Sequence, residues 1–270
     1  MAGRTARGLC IGINDYPGTG SDLAGCVNDA EDWAAELTQR DFQVTRLIDH
    51  EATRSGITGA MAALLSGTAA GETGVITFSG HGTWFPDDDG DEPDLRDEAL
   101  CPHDFATDGG PLLDDDLFDL FAERQRGARI VFLSDSCHSG SVARMGAPIG
   151  AGSDTVRFLP PGLVLSGDRA DRARLVERAP ARGRPRGTVL LMSGCRDVEY
   201  SYDAHFGGRP NGAFTRVALD ALAKLPPDAT YRDWHRAVRE VLPSRDYPQT
   251  PLLTATSRQR DWPVLRCAEG

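Results

Sequence analysis

Two residues with complementary chemistry each close an apolar run. VITFSGHG, residues 75–82, delivers His81, and RIVFLSDSCHSG, residues 129–140, delivers Cys137, 56 positions later. A thiol attacks a carbonyl carbon well once its proton is removed, and an imidazole can take that proton and return it to a leaving amine. The glycines on both sides of His81 allow backbone to approach a substrate closely. The N–H groups of Gly82 and Cys137 are candidates for an oxyanion hole. His138 is a rival base, but an adjacent residue on a strand or turn points away, so His81 is preferred.

Both runs stop abruptly in small polar residues, as strands do at the C-terminal edge of a parallel sheet, where open α/β sheets place their ligands. The remaining pattern supplies the other strands, at 7–13, 42–48, 188–194 and 252–256. Helices are expected at 21–39, with Leu23, Val27, Ala30, Ala34 and Leu37 in one stripe capped by Ser21 or Asp22, and at 53–66, 114–125, 211–224 and 230–242. Strands alternating with helices predict an α/β fold, a mostly parallel sheet covered on both faces. Residues 146–187, rich in Gly, Pro and Arg, read as a long loop. It divides one domain, 1–270, into a larger part, about 1–165, and a smaller part, about 188–270.

Composition excludes several classes. The net charge of −11 argues against nonspecific nucleic-acid binding. No apolar run is long enough to span a membrane, and the N-terminus carries no secretory h-region. The six cysteines are expected to be reduced thiols in a cytoplasmic protein. Cys101-Pro102-His103 and Cys137-His138 lack zinc-ligand spacing, and no G-x-G-x-x-G follows the first strand. Asp87-x-Asp89-x-Asp91 opens like an EF-hand, but Gly90 is misplaced and no Glu closes the loop.

Two carboxylates bear on specificity. Alternation puts Asp135 on the same side as Cys137, two residues later. Asp29 lies off the apolar stripe of its helix and is free to face the sheet edge. A carboxylate at the base of a pocket selects a long cationic side chain. Residues 167–187 carry seven Arg and three acids. They would offer such a site a substrate within the same chain, so self-processing is expected there, unless the segment is a basic linker.

Ser-Gly-His-Gly and Asp-Ser-Cys-His-Ser-Gly resemble the two signatures of metacaspases and their bacterial relatives, in the caspase-like clan of cysteine peptidases. Gly12-Ile13-Asn14-Asp15-Tyr16, Gly25-Cys26-Val27-Asn28-Asp29-Ala30 and Asn211-Gly212-Ala213-Phe214-Thr215 resemble further parts of that family. The resemblance covers about 7–256. It implies a caspase-like α/β/α sandwich, a His81–Cys137 dyad and a cysteine endopeptidase that cuts after Arg or Lys through an acyl-enzyme. It implies a primary pocket of Asp29 and Asp135 helped by Ser79 and Cys26. A Gln-Ala-Cys signature of Asp-specific caspases is absent.

The resemblance also maps a calcium site onto Asp97, Asp114 and Asp115. Its fourth position is Arg144, a cation where an anion is expected, which argues against calcium as an activator. No cofactor is needed for the chemistry. Expected partners are protein or peptide substrates with Arg or Lys before the cut, and an activating protein. The alternatives are a non-catalytic caspase-like scaffold, or a clan relative with another specificity.

Overall fold

The structure, a computed structural model, describes residues 5–86, 96–137, 154–160, 189–196 and 199–268. Its centre is a six-stranded sheet of order β12-β9-β7-β3-β1-β2. The strands are β1 (Ala6–Gly12), β2 (Phe42–Ile48), β3 (Thr73–Ser79), β7 (Arg129–Asp135), β9 (Leu190–Ser193) and β12 (Leu252–Thr254). All neighbours run parallel except β12, which closes the edge antiparallel to β9.

Alternating side chains feed two cores, as the period of two requires. Leu9, Ile11, Ile76, Phe78, Ile130 and Phe132 meet α2 (Arg54–Gly67) and α3 (Asp114–Ala122) on one face. Cys10, Val75, Val131, Leu133 and Met192 meet α1 (Cys26–Gln39), α4 (Ala213–Leu222) and α5 (Tyr231–Arg239) on the other. There Trp33 of α1 and Trp234 of α5 pack edge to face, 5.9 Å between ring centroids. A short α6 (Ser257–Arg260) follows β12.

Two small antiparallel sheets stand beside the C-terminal edge. One is β4 (Gly82–Pro86), β5 (Arg96–Leu100) and β6 (Leu112–Leu113); the other is β8 (Thr155–Val156), β10 (Tyr202–Phe206) and β11 (Arg209–Gly212). Both are additions to the expected pattern. Within the 146–187 loop reading, Thr155 and Val156 are strand instead, pairing with Asp203 and Tyr202. The Arg-rich stretch 167–187 lies outside the described residues.

Helix α1 starts at Cys26, not near Ser21. Its first amides find partners from elsewhere in the chain. Asn14 Oδ1 accepts from Cys26 N (2.8 Å) and Val27 N (3.2 Å), and Asp203 accepts from Ala24 N (2.7 Å) and Gly25 N (3.0 Å). Helix starts need such acceptors, and here they are not local. Asp22 instead accepts from Tyr16 N at 3.0 Å. Similarly Asn211 and Gly212, expected in a helix, belong to β11.

Candidate active site

Strand register sets the floor of the site. Gly12, Ser79 and Asp135 align across β1, β3 and β7 at the C-terminal edge. Just beyond it the chain turns through Gly80 to His81. A Cβ on Gly80 would stand 2.5 Å from the Tyr16 hydroxyl, so glycine is required for the approach. That hydroxyl accepts from His81 N (2.7 Å) and donates to the Cys101 carbonyl (3.2 Å), while the Tyr16 ring packs on the imidazole at 4.7 Å.

The His81 ring is buried, and its Nε2 lies 2.7 Å from the Ser21 carbonyl oxygen. A carbonyl only accepts, so Nε2 carries the proton and Nδ1 keeps its lone pair. Nδ1 has no partner at bonding geometry, although the Arg157 backbone lies near enough to favour the charged ring. Burial pushes the imidazole down to about 4, with the Ser21 carbonyl opposing it, so the ring is neutral at pH 7.

Cys137 is fully buried. Its sulfur accepts from Ser201 N and lies 3.4 Å from the Ser201 carbonyl, beside Cys195. Its hydrogen bonds go to Ser201 and to the neighbouring Cys195 thiol, not to His81. The two residues converge instead through their backbones. Cys137 N (3.2 Å) and Gly82 N (3.0 Å) both donate to one acceptor, the carbonyl oxygen of Arg157. Two amides aimed at one carbonyl oxygen are able to stabilise negative charge that develops there.

The Arg157 side chain descends from this point into a sealed pocket. Its Nη2 lies 2.6 Å from Asp29 Oδ2 and 3.0 Å from Asp203 Oδ1, and its Nη1 lies 3.2 Å from Asp135 Oδ2 and 3.1 Å from the Asp135 carbonyl. All four side chains are buried. Each carboxylate has further donors. Asp29 accepts from Asn211 Nδ2 (2.9 Å) and Gly212 N (3.0 Å), and Asp135 from Thr215 N (2.9 Å), Thr215 Oγ1 (2.8 Å) and the Ser201 hydroxyl. Gly212 is required here too, because a Cβ would stand 2.1 Å from Asp135 Oδ2.

Burial raises the Asp29 carboxyl to about 6; Arg157 opposes the rise and Asp135 adds to it. Three buried carboxylates around one cavity therefore call for a cation. Cys26, also buried, lies near enough for Arg157 to favour its ionised form, although burial pushes the thiol well above its ordinary value. Ser79 stands in the same edge row as Asp135, with its carbonyl accepting from Ile13 N at 3.0 Å.

Asp203, Ser21 and Tyr16 were missed as site residues by sequence reasoning. Asp203 reaches Gly25 across 178 positions, so no local pattern marks it. Tyr16 lay inside the Gly12–Tyr16 stretch that resembled the family, which was the one available signal.

Asp97 is buried in β5, and Asp114 and Asp115 form the first turn of α3. Burial raises the Asp114 carboxyl to about 7, helped by Asp115, Glu98 and Asp97. Among the described residues no group of three or more His, Cys, Asp or Glu is arranged to hold a metal ion. Arg144 and His138 lie outside the described residues.

Comparison with known proteins gives this geometry a context. The caspase domain family matches residues 5–262. Metacaspase-1 of Cryptococcus neoformans is 31% identical over 93% of this chain and 62% of its own length. Metacaspase-1 of Mycosarcoma maydis is 29% identical over 93% of this chain and 70% of its own. This chain thus spans about three-fifths of the length of the Cryptococcus relative. The crystal structure of protein GSU0716 from Geobacter sulfurreducens superposes with a TM-score of 0.79 at 30% identity, over 98% of this chain and 100% of that one. Caspase-1 of Spodoptera frugiperda, at 12% identity, shares the fold with a TM-score of 0.57 over 93% of this chain and 86% of its own. No helix among the described residues is long and apolar enough to cross a membrane. On the extent of these matches, the chain belongs to the caspase domain family of peptidases, with metacaspases among its relatives.

Proposed function

We propose that this protein is a cysteine endopeptidase that cuts polypeptides after Arg or Lys. Cys137 is the nucleophile and His81 the base. Gly82 N and Cys137 N hold the oxyanion, and Asp29, Asp135 and Asp203 bind the cationic side chain, with Cys26 and Ser79 in the pocket wall. The observation that carries this reading is the seating of Arg157. Its guanidinium touches all three carboxylates while its carbonyl oxygen faces both amides. One residue thus spans a specificity pocket and a reaction centre, the two halves of a protease site.

The reaction follows from the residues. His81 Nδ1 takes the thiol proton, and the sulfur adds to the substrate carbonyl carbon. The amides bind the resulting oxyanion, and His81 returns the proton to the departing amine. Water then hydrolyses the thioester. The Ser21 carbonyl fixes the tautomer that leaves Nδ1 free, and Tyr16 holds the His81 backbone in place. Thiol and imidazole supply the nucleophile and the proton carrier, so the chemistry calls for no cofactor. Substrates are proteins or peptides in the cytoplasm, the chain is able to process itself within the Arg-rich stretch 167–187, and an upstream partner protein acts as a trigger.

The test is hydrolysis of fluorogenic peptide amides by the purified protein. Arg-amide and Lys-amide peptides are cleaved and an Asp-amide peptide is not. Cys137→Ala abolishes turnover and labelling by an Arg-based electrophile. Equal rates on Asp and Arg peptides would overturn the specificity. Turnover that survives Cys137→Ala would overturn the mechanism.

A further inference from the structure

Resting on that reading, we infer that the Arg157–Phe158 peptide bond is this enzyme's own first substrate, cut in cis, and that residues 155–159 block the site until it is cut. The contacts place a substrate-like strand on both sides of this bond. Upstream, Thr155 and Val156 pair antiparallel with Asp203 and Tyr202, and Arg157 N donates to the Ser201 carbonyl at 2.9 Å. Downstream, Phe158 bridges Gly82 in parallel, and Leu159 N donates to the Gly82 carbonyl at 3.0 Å. The Thr83 hydroxyl donates to the Leu159 carbonyl at 2.7 Å. Strand addition of this kind is how extended peptides bind a sheet edge, with main chain giving affinity and alternate side chains giving selection.

The side chains fit the same description. Phe158 packs with Tyr200, Cys195 and Cys137, and Leu159 is fully buried in the main core. The segment therefore also states a preference beyond the cationic pocket: an aromatic residue just after the cut and an aliphatic one next. It occupies every contact an external substrate needs, so the uncut chain is latent. A site whose open form is rarely populated binds external substrate correspondingly weakly.

The step balances as a hydrolysis. The Cys137 sulfur bonds to the Arg157 carbonyl carbon, and its proton passes to His81. The carbon–nitrogen bond to Phe158 breaks, and His81 delivers the proton to the Phe158 amine. Water then splits the thioester, leaving a carboxylate at Arg157 and the free thiol. The new N-terminus is Phe158-Leu159-Pro160. This site lies upstream of the Arg-rich stretch 167–187.

Three purified proteins test this: wild type, Cys137→Ala and Phe158→Pro. Proline after the cut blocks hydrolysis. The Phe158 amide makes no backbone hydrogen bond among those of the segment, so none is lost. N-terminal sequencing is expected to find Phe158 in wild type, at a rate unchanged by tenfold dilution. Cys137→Ala stays intact. Phe158→Pro, checked by its melting temperature, stays uncut at 157 and hydrolyses an Arg-amide peptide at least about tenfold more slowly than processed wild type. As a second variant, Arg157→Lys, which keeps a cation among the three carboxylates, is expected to be cut at the same bond about tenfold more slowly. Wild type that cleaves the peptide while staying intact, or that is cut only elsewhere, overturns the inference and leaves the peptidase reading standing. No hydrolysis of chain or peptide overturns both.

Discussion

Arg157 and Asp29 form an ion pair of 2.6 Å with both side chains fully buried, although 128 positions separate them. Such a pair is strengthened by the loss of water but carries a large desolvation cost, so breaking it from one side is expensive. The same carboxylate must receive the cationic residue of an external substrate. Asp29→Asn or Asp135→Asn is therefore expected to cost ~2–5 kcal/mol of transition-state binding, roughly 30-fold or more in kcat/KM on an Arg-amide peptide. Steady-state kinetics on each variant would show it, and an unchanged kcat/KM would remove the pocket assignment.

Arg should be preferred over Lys. The two terminal nitrogens of Arg157 divide among three carboxylates and a carbonyl. A point ammonium on a flexible stem cannot span that set. Matched Arg-amide and Lys-amide peptides are expected to differ by about tenfold in kcat/KM, and a Lys preference would contradict the geometry.

The Tyr16 hydroxyl accepts from the His81 backbone amide and so holds the residue that carries the base. Tyr16→Phe removes that bond and the one to Cys101, at a cost of ~1–2 kcal/mol in stability. Because the base is then less well positioned, kcat is expected to fall by about tenfold or more while KM changes little. A change in KM alone would argue that Tyr16 serves substrate binding instead.

The neutral, buried His81 has a signature in stability against pH. Its pKa is about 4 in the folded chain and about 6.5 when unfolded, so the unfolded chain binds the extra proton between those values. Stability due to this group therefore rises with pH across that window, by about 3 kcal/mol. Measured in a Cys137→Ala background, the stability difference between His81 and His81→Gln proteins should grow from pH 4 to 6.5 and then level off. A flat difference would show that the ring is solvated.

Asp114 works in the opposite sense. Its carboxyl is raised to about 7 by burial and by Asp115, Glu98 and Asp97. The folded chain holds this proton between about 4 and 7, so this contribution falls as pH rises. Asp114→Asn, which mimics the protonated form, is expected to raise the melting temperature at pH 8 and leave it unchanged near pH 4. Destabilisation at pH 8 would mean that the charge has a partner worth more than its burial costs.

The main sheet was legible because parallel strands buried on both faces read as unbroken apolar runs ending in small polar residues. His81, Cys137, Asp29 and Asp135 followed from where those runs and the first helix face end. Strands β4, β5, β10 and β11 did not, because YDAHF and RPNG carry no period that sets them apart from turns. The start of α1 was misplaced because its amides are satisfied by Asn14 and Asp203 rather than by Ser21. Thr155-Val156-Arg157-Phe158-Leu159 is a plain β-type run, but its Gly- and Pro-rich surroundings hid it inside a presumed loop.

The order of the central sheet has a consequence for a chain cut after Arg157. Strand β9 belongs to the downstream piece, yet it is hydrogen-bonded in register to β7 of the upstream piece. Helix α4, also downstream, packs in the same core as α1. A nick between residues 157 and 158 thus leaves two interlocked fragments sharing one hydrophobic interior. They would migrate together on a sizing column and part only in denaturant. The cut would then act as a one-way latch without releasing a subunit.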